Sequence, residues 1–402
     1  MADGDLKWRL YLPSEMFAWA THRGCASVDV DGNIYICVRA TDLGTDVYKI
    51  TPTGSVDWMV HLSLYNIVYG GPNPEVNDHL YFPRNNTDES PPSYFVSRSK
   101  SDGSFNWEYS ANKLSYTYPL MDNQSYVMFY DSDNYLYRFD QDGNLEWCVK
   151  LDIDRYGYRG IALRTDGDII VASRDNIRRV DSSGNVVWTY ASGTGLYFYA
   201  GPTIATNGDI YIGNYWTMLY CIDENGNERW SVPSTYGTYS NAGISIDGHP
   251  LFSSYGANQI WKLDKDTGDN IWSYQVGDRI QTGIQTNVNG TIFFGCDDGY
   301  IYALNNDGTL KWRYAVGDKF DYTIPSIAQD GTLYIYCKDQ YLYAIEESAA
   351  PLFTKKDYWD GIIGLSETFA INQSLEYYVP PVPPAEAVVT KYHRVGLNMR
   401  VG

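Results

Sequence analysis

The chain has 402 residues, 20% charged and 44% hydrophobic, which is enough to bury a large core and too apolar for a disordered chain. Its net charge of -19 argues against electrostatic binding to nucleic acid or to an anionic bilayer, since both partners are themselves negative. Tyr (38), Trp (12) and Gly (36) are abundant, a mixture of strand formers and turn formers that points to an all-β protein.

The chain opens MADGDLKWRLYLP, with no basic segment leading into an apolar one. No export signal is read there, so synthesis in the cytoplasm is expected. No later stretch has the apolar length of a membrane span, so no membrane insertion is expected. DGDLKW, ending at Trp8, then returns in variant form down the chain: TGSVDW to Trp58, DGSFNW to Trp107, DGNLEW to Trp147, SGNVVW to Trp188, NGNERW to Trp230, TGDNIW to Trp272 and DGTLKW to Trp312. Successive tryptophans lie 40 to 50 residues apart. Ahead of them run short alternating stretches such as YLYRFD (135–140), MLYCID (218–223) and YIYALN (300–305). Further upstream in each unit comes another hairpin, as in DGNIYICV (31–38), NGDIYIGN (207–214), NGTIFFGC (289–296) and DGTLYIYC (330–337).

Each unit thus predicts four short antiparallel strands in about 40 residues, the period of a propeller blade. Asp-Gly and Asn-Gly suit the tight hairpins, because positive φ angles match the strand twist. One blade cannot bury both faces of its sheet, so the blades must stack around an axis. After Trp312 the half-unit SIAQDGTLYIYCKDQYLYAIEE (326–347) ends without its Trp strand, and DGDLKW at the N-terminus is the piece it lacks. The expected fold is an all-β, eight-bladed propeller of four-stranded antiparallel blades over residues 1–347, its ring closed by the N-terminal strand. Residues 348–402 form a C-terminal extension.

The repeat resembles that of the pyrroloquinoline-quinone-type propeller family, A-x-D-x-x-T-G-x-x-x-W, in ALNNDGTLKW (303–312), CIDENGNERW (221–230) and KLDKDTGDNIW (262–272). The resemblance covers residues 1 to about 346. It implies that the eight tryptophans dock between blades, each stacking on a peptide of the adjacent repeat and contributing ~3–5 kcal/mol. Most copies depart from Ala at the first motif position, which predicts looser docking there. The family's enzymes, as the resemblance implies, carry adjacent cysteines at the cofactor, a Ca²⁺ held by Glu, Asn and Asp, and long insertions around the active site. This chain has six scattered cysteines (Cys25, Cys37, Cys148, Cys221, Cys296, Cys337), no adjacent pair and no such insertions. They are read as reduced thiols, mostly small core residues. DVDGN (29–33), DSDNY (131–135), DQDGN (140–144) and DKDTGD (264–269) begin like calcium loops but lack the closing Glu, and hairpin chemistry accounts for them. The five histidines fall in unrelated units, and no nucleophile elbow or HExxH is present. No catalytic, cofactor or metal residue is assigned.

What remains is a surface. The linkers from each Trp strand to the next inner strand are rich in tyrosine: Tyr65, Tyr69, Tyr116, Tyr118, Tyr156, Tyr158, Tyr197, Tyr199, Tyr236 and Tyr239, with Arg159 beside them. On one rim they would form an aromatic face suited to protein or sugar; alternatively the rings fill grooves between blades. Arg23, Arg155, Arg279 and Lys319 stand in the same linkers, ready for an acidic partner or simply offsetting the acidic body. In the extension, PPVPP (380–384) favours a stiff spacer. The last segment carries Lys391, Tyr392, His393, Arg394, Met399 and Arg400 with no acid, reading as an arm that docks on another protein, or else as a tail folded back or unstructured.

Three readings of function compete. The first is a non-catalytic scaffold binding other protein subunits, within it a bacteriophage virion component anchored by the arm. Family resemblance supports it, since non-enzymatic members include outer-membrane assembly scaffolds. The second is a carbohydrate-binding adhesin using the tyrosine face. The third is an enzyme, quinone-dependent or hydrolytic.

Overall fold

The computed structural model describes residues 4–13, 25–40, 44–62, 66–67, 72–74, 78–86, 93–111, 118–122, 124–131, 133–151, 160–174, 176–195, 198, 200–214, 217–234, 237–238, 240–254, 256–320 and 323–346. These residues form eight antiparallel sheets in sequence order, with no helix among them. Blade 4 is representative. Its inner strand is Ile161–Leu163, followed by Ile169–Ala172, Asn176–Val180 and the outer strand Val186–Ala191. The two inner strands are fully buried because neighbouring blades cover both of their faces, whereas the outer strand alternates exposed and half-buried residues. The core therefore lies between blades: Ala162, Ile170 and Ile177 of blade 4 pack on Ile204, Ile210 and Ile222 of blade 5. Blade 2 departs from the four-stranded pattern. Its long second strand, His79–Asn86, also pairs with Asn66–Ile67 from the preceding linker, using residues that the wider Trp spacing supplies.

The hairpins explain the acidic motifs. The Asp140 carboxylate accepts the amides of Asp142 (2.9 Å) and Asn144 (2.8 Å) while Gly143 adopts φ +86°. Asp29 and Asp264 do the same in their turns, and Asp131 does so in the loop between the second and third strands of blade 3. These carboxylates satisfy backbone donors that the tight turns leave over.

Ring closure is as the sequence implies. Asp5–Tyr11 pairs antiparallel with Tyr341–Glu346 as the outer strand of blade 8, from Asp5 opposite Glu346 to Tyr11 opposite Tyr341. Lys7 adds an ion pair to Asp330 (2.9 Å), and the Leu12 amide donates to the Gln340 carbonyl (2.8 Å). The tryptophan girdle runs through this seam. Seven indole N–H groups donate to a turn carbonyl of the next blade at 2.8–3.1 Å, beginning with Trp8 to Pro52 and ending with Trp272 to Asn306. Each ring lies flat on the glycine of that turn. Trp312, 3% exposed, covers Gly4 so closely that a Cβ there would come within 2.9 Å of the indole. In all eight outer strands a β-bulge falls at the residue just before Trp. The bulge increases the local twist and re-aims the indole toward the neighbouring blade.

In blades 3, 4 and 6, where the motif departs from Ala, an Arg or Lys takes up the position and reaches across the same interface. Arg138 donates to the Ser182 carbonyl (2.9 Å), Arg179 to that of Glu224 (3.2 Å) and Lys262 to that of Asn306 (3.3 Å), the acceptors the tryptophans also use. Each is held by carboxylates of its own blade: Arg138 by Asp122 (2.6 Å), Arg179 by Asp166 and Asp168, Lys262 by Asp247 (2.7 Å). Where the motif residue is Cys221, the cation comes from the neighbouring strand instead, as Arg229 bridging Asp209 and Asp266.

Candidate interaction surface

In a four-stranded antiparallel blade, the inner–second and third–outer turns share one rim. The second–third loops and the blade-to-blade linkers share the other. The described strand ends that flank the linkers therefore face one rim. Of the tyrosine face, Tyr65, Tyr69, Tyr116, Tyr156, Tyr158, Tyr197, Tyr199, Tyr236 and Tyr239, together with Arg159, lie outside the described residues. So do Arg23 and Arg155, and the arm residues Lys391, Tyr392, His393, Arg394, Met399 and Arg400. Tyr118 is described, and it is buried. Its hydroxyl donates to Cys25 Sγ at 2.6 Å, and Ile324 completes the cluster. These three residues precede the inner strands of blades 3, 1 and 8, so the cluster joins parts of the ring that are distant in sequence. Tyr118 thus packs against linker residues of blades 1 and 8.

The best-described part of the rim belongs to blades 7 and 8, which repeat one geometry. The Gly277 amide donates to Asp298 Oδ2 (3.0 Å) and the Gly317 amide to Asp339 Oδ2 (2.8 Å). Tyr302 and Tyr343 donate their hydroxyls to those same carboxylates, and burial together with the adjacent carboxylate pushes both phenols up from their ordinary pKa. The Asp297 amide donates to the Arg279 carbonyl (2.9 Å) as the Lys338 amide does to Lys319 (3.2 Å). Position 297 distinguishes the two blades. The buried Asp297 carboxylate accepts from Gln281 Nε2 (2.5 Å) with the Arg279 guanidinium 3.5 Å away, and burial pushes its pKa up against those two neighbours. At the seam, Tyr11, 52% exposed, packs tilted against Tyr341 with ring centroids 5.3 Å apart, and Arg9 covers the same ring at 4.7 Å. The seam cluster escaped sequence reading because its two halves lie more than 300 residues apart.

The residues present do not fit the family's quinone. The Cys296 and Cys337 thiols donate to the linker carbonyls of Asp278 (3.3 Å) and Asp318 (3.2 Å), Cys25 accepts from Tyr118, and no two cysteines are adjacent. Five of the six are buried and Cys148 is exposed.

Comparison with known proteins agrees with the repeat. Residues 173–349 match the family described as outer membrane protein assembly factor BamB. No curated protein sequence matches the chain. Among solved structures it resembles BamB from Moraxella catarrhalis at 16% identity and TM-score 0.66, covering 85% of this chain and 99% of that one. It also resembles the computationally designed Ika8 protein at 12% identity and TM-score 0.63, covering 81% and 96%. Virginiamycin B lyase from Staphylococcus aureus matches at 14% identity and TM-score 0.54, covering 84% and 98%. Residues 173–349 thus match the BamB-like, PQQ-type repeat family, and the ring they share with the rest of the described chain is an eight-bladed β-propeller.

Proposed function

We propose that the protein is a non-catalytic scaffold whose rigid ring binds other protein subunits. One observation carries this reading: three sets of chemistry-bearing side chains in the described ring hold the ring itself together. Turn carboxylates accept backbone amides, buried thiols donate to linker carbonyls, and the motif cations latch one blade to the next. A family described by its role as an assembly factor supports the same class of function. Within it, we read the segment after PPVPP as the anchor, its Lys391, Arg394 and Arg400 contrasting with the acidic ring, and a virion or comparable particle as the assembly.

Purification of the particle or complex from its source tests this. Full-length protein is expected at defined stoichiometry beside other subunits, and a chain ending at residue 379 is expected to be lost from it. Normal incorporation of the shortened chain overturns the anchor. A glycan-array signal abolished by Tyr156→Ala and Tyr158→Ala favours the adhesin instead. A rise in melting temperature with pyrroloquinoline quinone and Ca²⁺ favours the enzyme.

A further inference from the structure

We propose that the outer edge of blade 6 takes the chain's own basic segment, residues 388–395, as an added strand. This rests on the reading of the C-terminal segment as an interaction arm and names the surface it uses. Among the described residues, every blade ends in an outer strand with one edge unpaired. In blade 6 (Asn270–Gln275) the Val276 amide donates to the Asn258 carbonyl at 2.9 Å. Antiparallel alternation then turns Trp272 and Tyr274 toward the third strand, leaving the amides and carbonyls of Ser273 and Gln275 facing outward.

Such edges are normally protected by charge or proline. Six blades follow that rule at the outward or bulge positions, with Lys7, Asp57, Glu108, Lys150, Pro233 and Arg313 among the residues responsible. Blades 4 and 6 do not. Their bulge residues are Val187 and Ile271, 52% and 46% exposed, and their outward pairs are Thr189 with Ala191 and Ser273 with Gln275.

Charge decides between the two. The strand beside the blade 4 edge carries Arg178 and Arg179, whereas the strand beside the blade 6 edge carries one cation, Lys262, which is 3% exposed and paired with Asp247. The blade 6 edge begins after a turn bearing Asp264, Asp266 and Asp269 against the single cation Lys265, and ends just before Asp278; Asp266 (58% exposed) is paired with Arg229 (2.9 Å) and Asp278 (50% exposed) lies 3.8 Å from Arg279, so acids remain in excess around the edge. An acid-flanked, uncharged edge suits a basic strand. The segment VVTKYHRV supplies β-branched and aromatic residues for pairing and Lys391, His393 and Arg394 for the acids. About 40 residues separate it from Glu346, and at ~3.3 Å per extended residue that reaches any blade.

The test uses the full chain carrying a benzophenone amino acid in place of Ser273, irradiated and mapped by mass spectrometry. Cross-linking to a peptide within 388–395 is expected. It should fall at least about tenfold with Lys391→Glu and Arg394→Glu together, or at ~1 M salt, where the Debye length shrinks to ~3 Å. Both substitutions lie outside residues 4–346, and an unchanged circular-dichroism spectrum checks that the ring stays folded. Amide exchange at Ser273 and Gln275 is a second readout and should speed up about tenfold in the charge-reversed chain. Cross-linking elsewhere, or edge exchange indifferent to the arm's charge, overturns the proposal. If the arm then still holds the chain in its particle, the scaffold reading stands and this edge falls alone.

Discussion

Gly226 and Gly167 share a left-handed backbone, with φ +87° and +90°, yet stand in opposite surroundings. A Cβ on Gly226 would approach the Trp188 ring to 2.7 Å, while one on Gly167 would meet nothing within 4 Å. Gly167→Ala should therefore destabilise by the backbone term alone, ~1–2 kcal/mol. Gly226→Ala should cost at least ~2 kcal/mol more in urea unfolding, because an indole docked between two blades must also shift. Equal losses would mean that the indole yields without resistance. Asp131 offers a prediction in pH. Burial raises its carboxyl to about 6, partly opposed by hydrogen bonds from the Asp133 and Tyr135 amides and the Tyr137 hydroxyl. The folded state binds this proton more tightly than the unfolded chain, so the group's stabilising effect is present at pH 4 and below and is lost as pH rises through 6. Relative to Asp131→Asn, the native chain should weaken by ~2–3 kcal/mol between pH 4 and 7. A constant difference across that range would refute the assignment.

At the level of strands and turns, the interblade latches are units of several residues. Arg138 is buried against Asp122 and reaches the Ser182 carbonyl of blade 4. Removing the cation by Arg138→Met strands a buried carboxylate and should cost ~3–5 kcal/mol. Adding Asp122→Asn should recover part of that loss, since the amide oxygen can still accept from Gln124 and Tyr126. Additive losses from the two changes, measured by a double-mutant cycle, would show that they do not act as a pair. The same latches mark the boundary of what the sequence discloses. Hairpins and tryptophans are legible because Asp-Gly turns and the 40-residue period are local signals. The role of Arg138 is not, because its acceptor sits 44 residues away, and in sequence the cation registers merely as a failure to match Ala. The bulge ahead of each Trp leaves no compositional trace either, since Lys7, Asp57, Asn106, Glu146, Val187, Arg229, Ile271 and Lys311 share no chemistry. Tyr118 reads as one more surface aromatic until a three-blade contact buries it.

On the scale of the whole ring, closure makes the two ends of the propeller one cooperative unit. Trp8 lies on blade 8, donates to Pro52 in blade 1 and packs near Tyr334, with ring centroids 5.6 Å apart. Trp312 of blade 7 rests on Gly4 of the closing strand. Trp8→Ala should therefore cost ~3–5 kcal/mol, at least as much as Trp312→Ala, and amide exchange of Leu342 and Ala344 should accelerate in both. If Trp8→Ala leaves the exchange of those two amides unchanged, the closing strand is not holding the last blade.

The closing strand also sets a timetable for biosynthesis. Residues 5–11 leave the ribosome before the other strands of the ring, and their partners at 341–346 follow 330 or more residues later. At ~5–20 residues per second, the first strand waits roughly 20–70 s for its mate. Throughout that interval seven blades form an open arc with a bare edge, so a chaperone or an early-binding subunit meets a different molecule from the finished disc. A message cut short upstream of Tyr341 yields a chain that cannot become a ring, and its unpaired edge exposes it to aggregation or proteolysis.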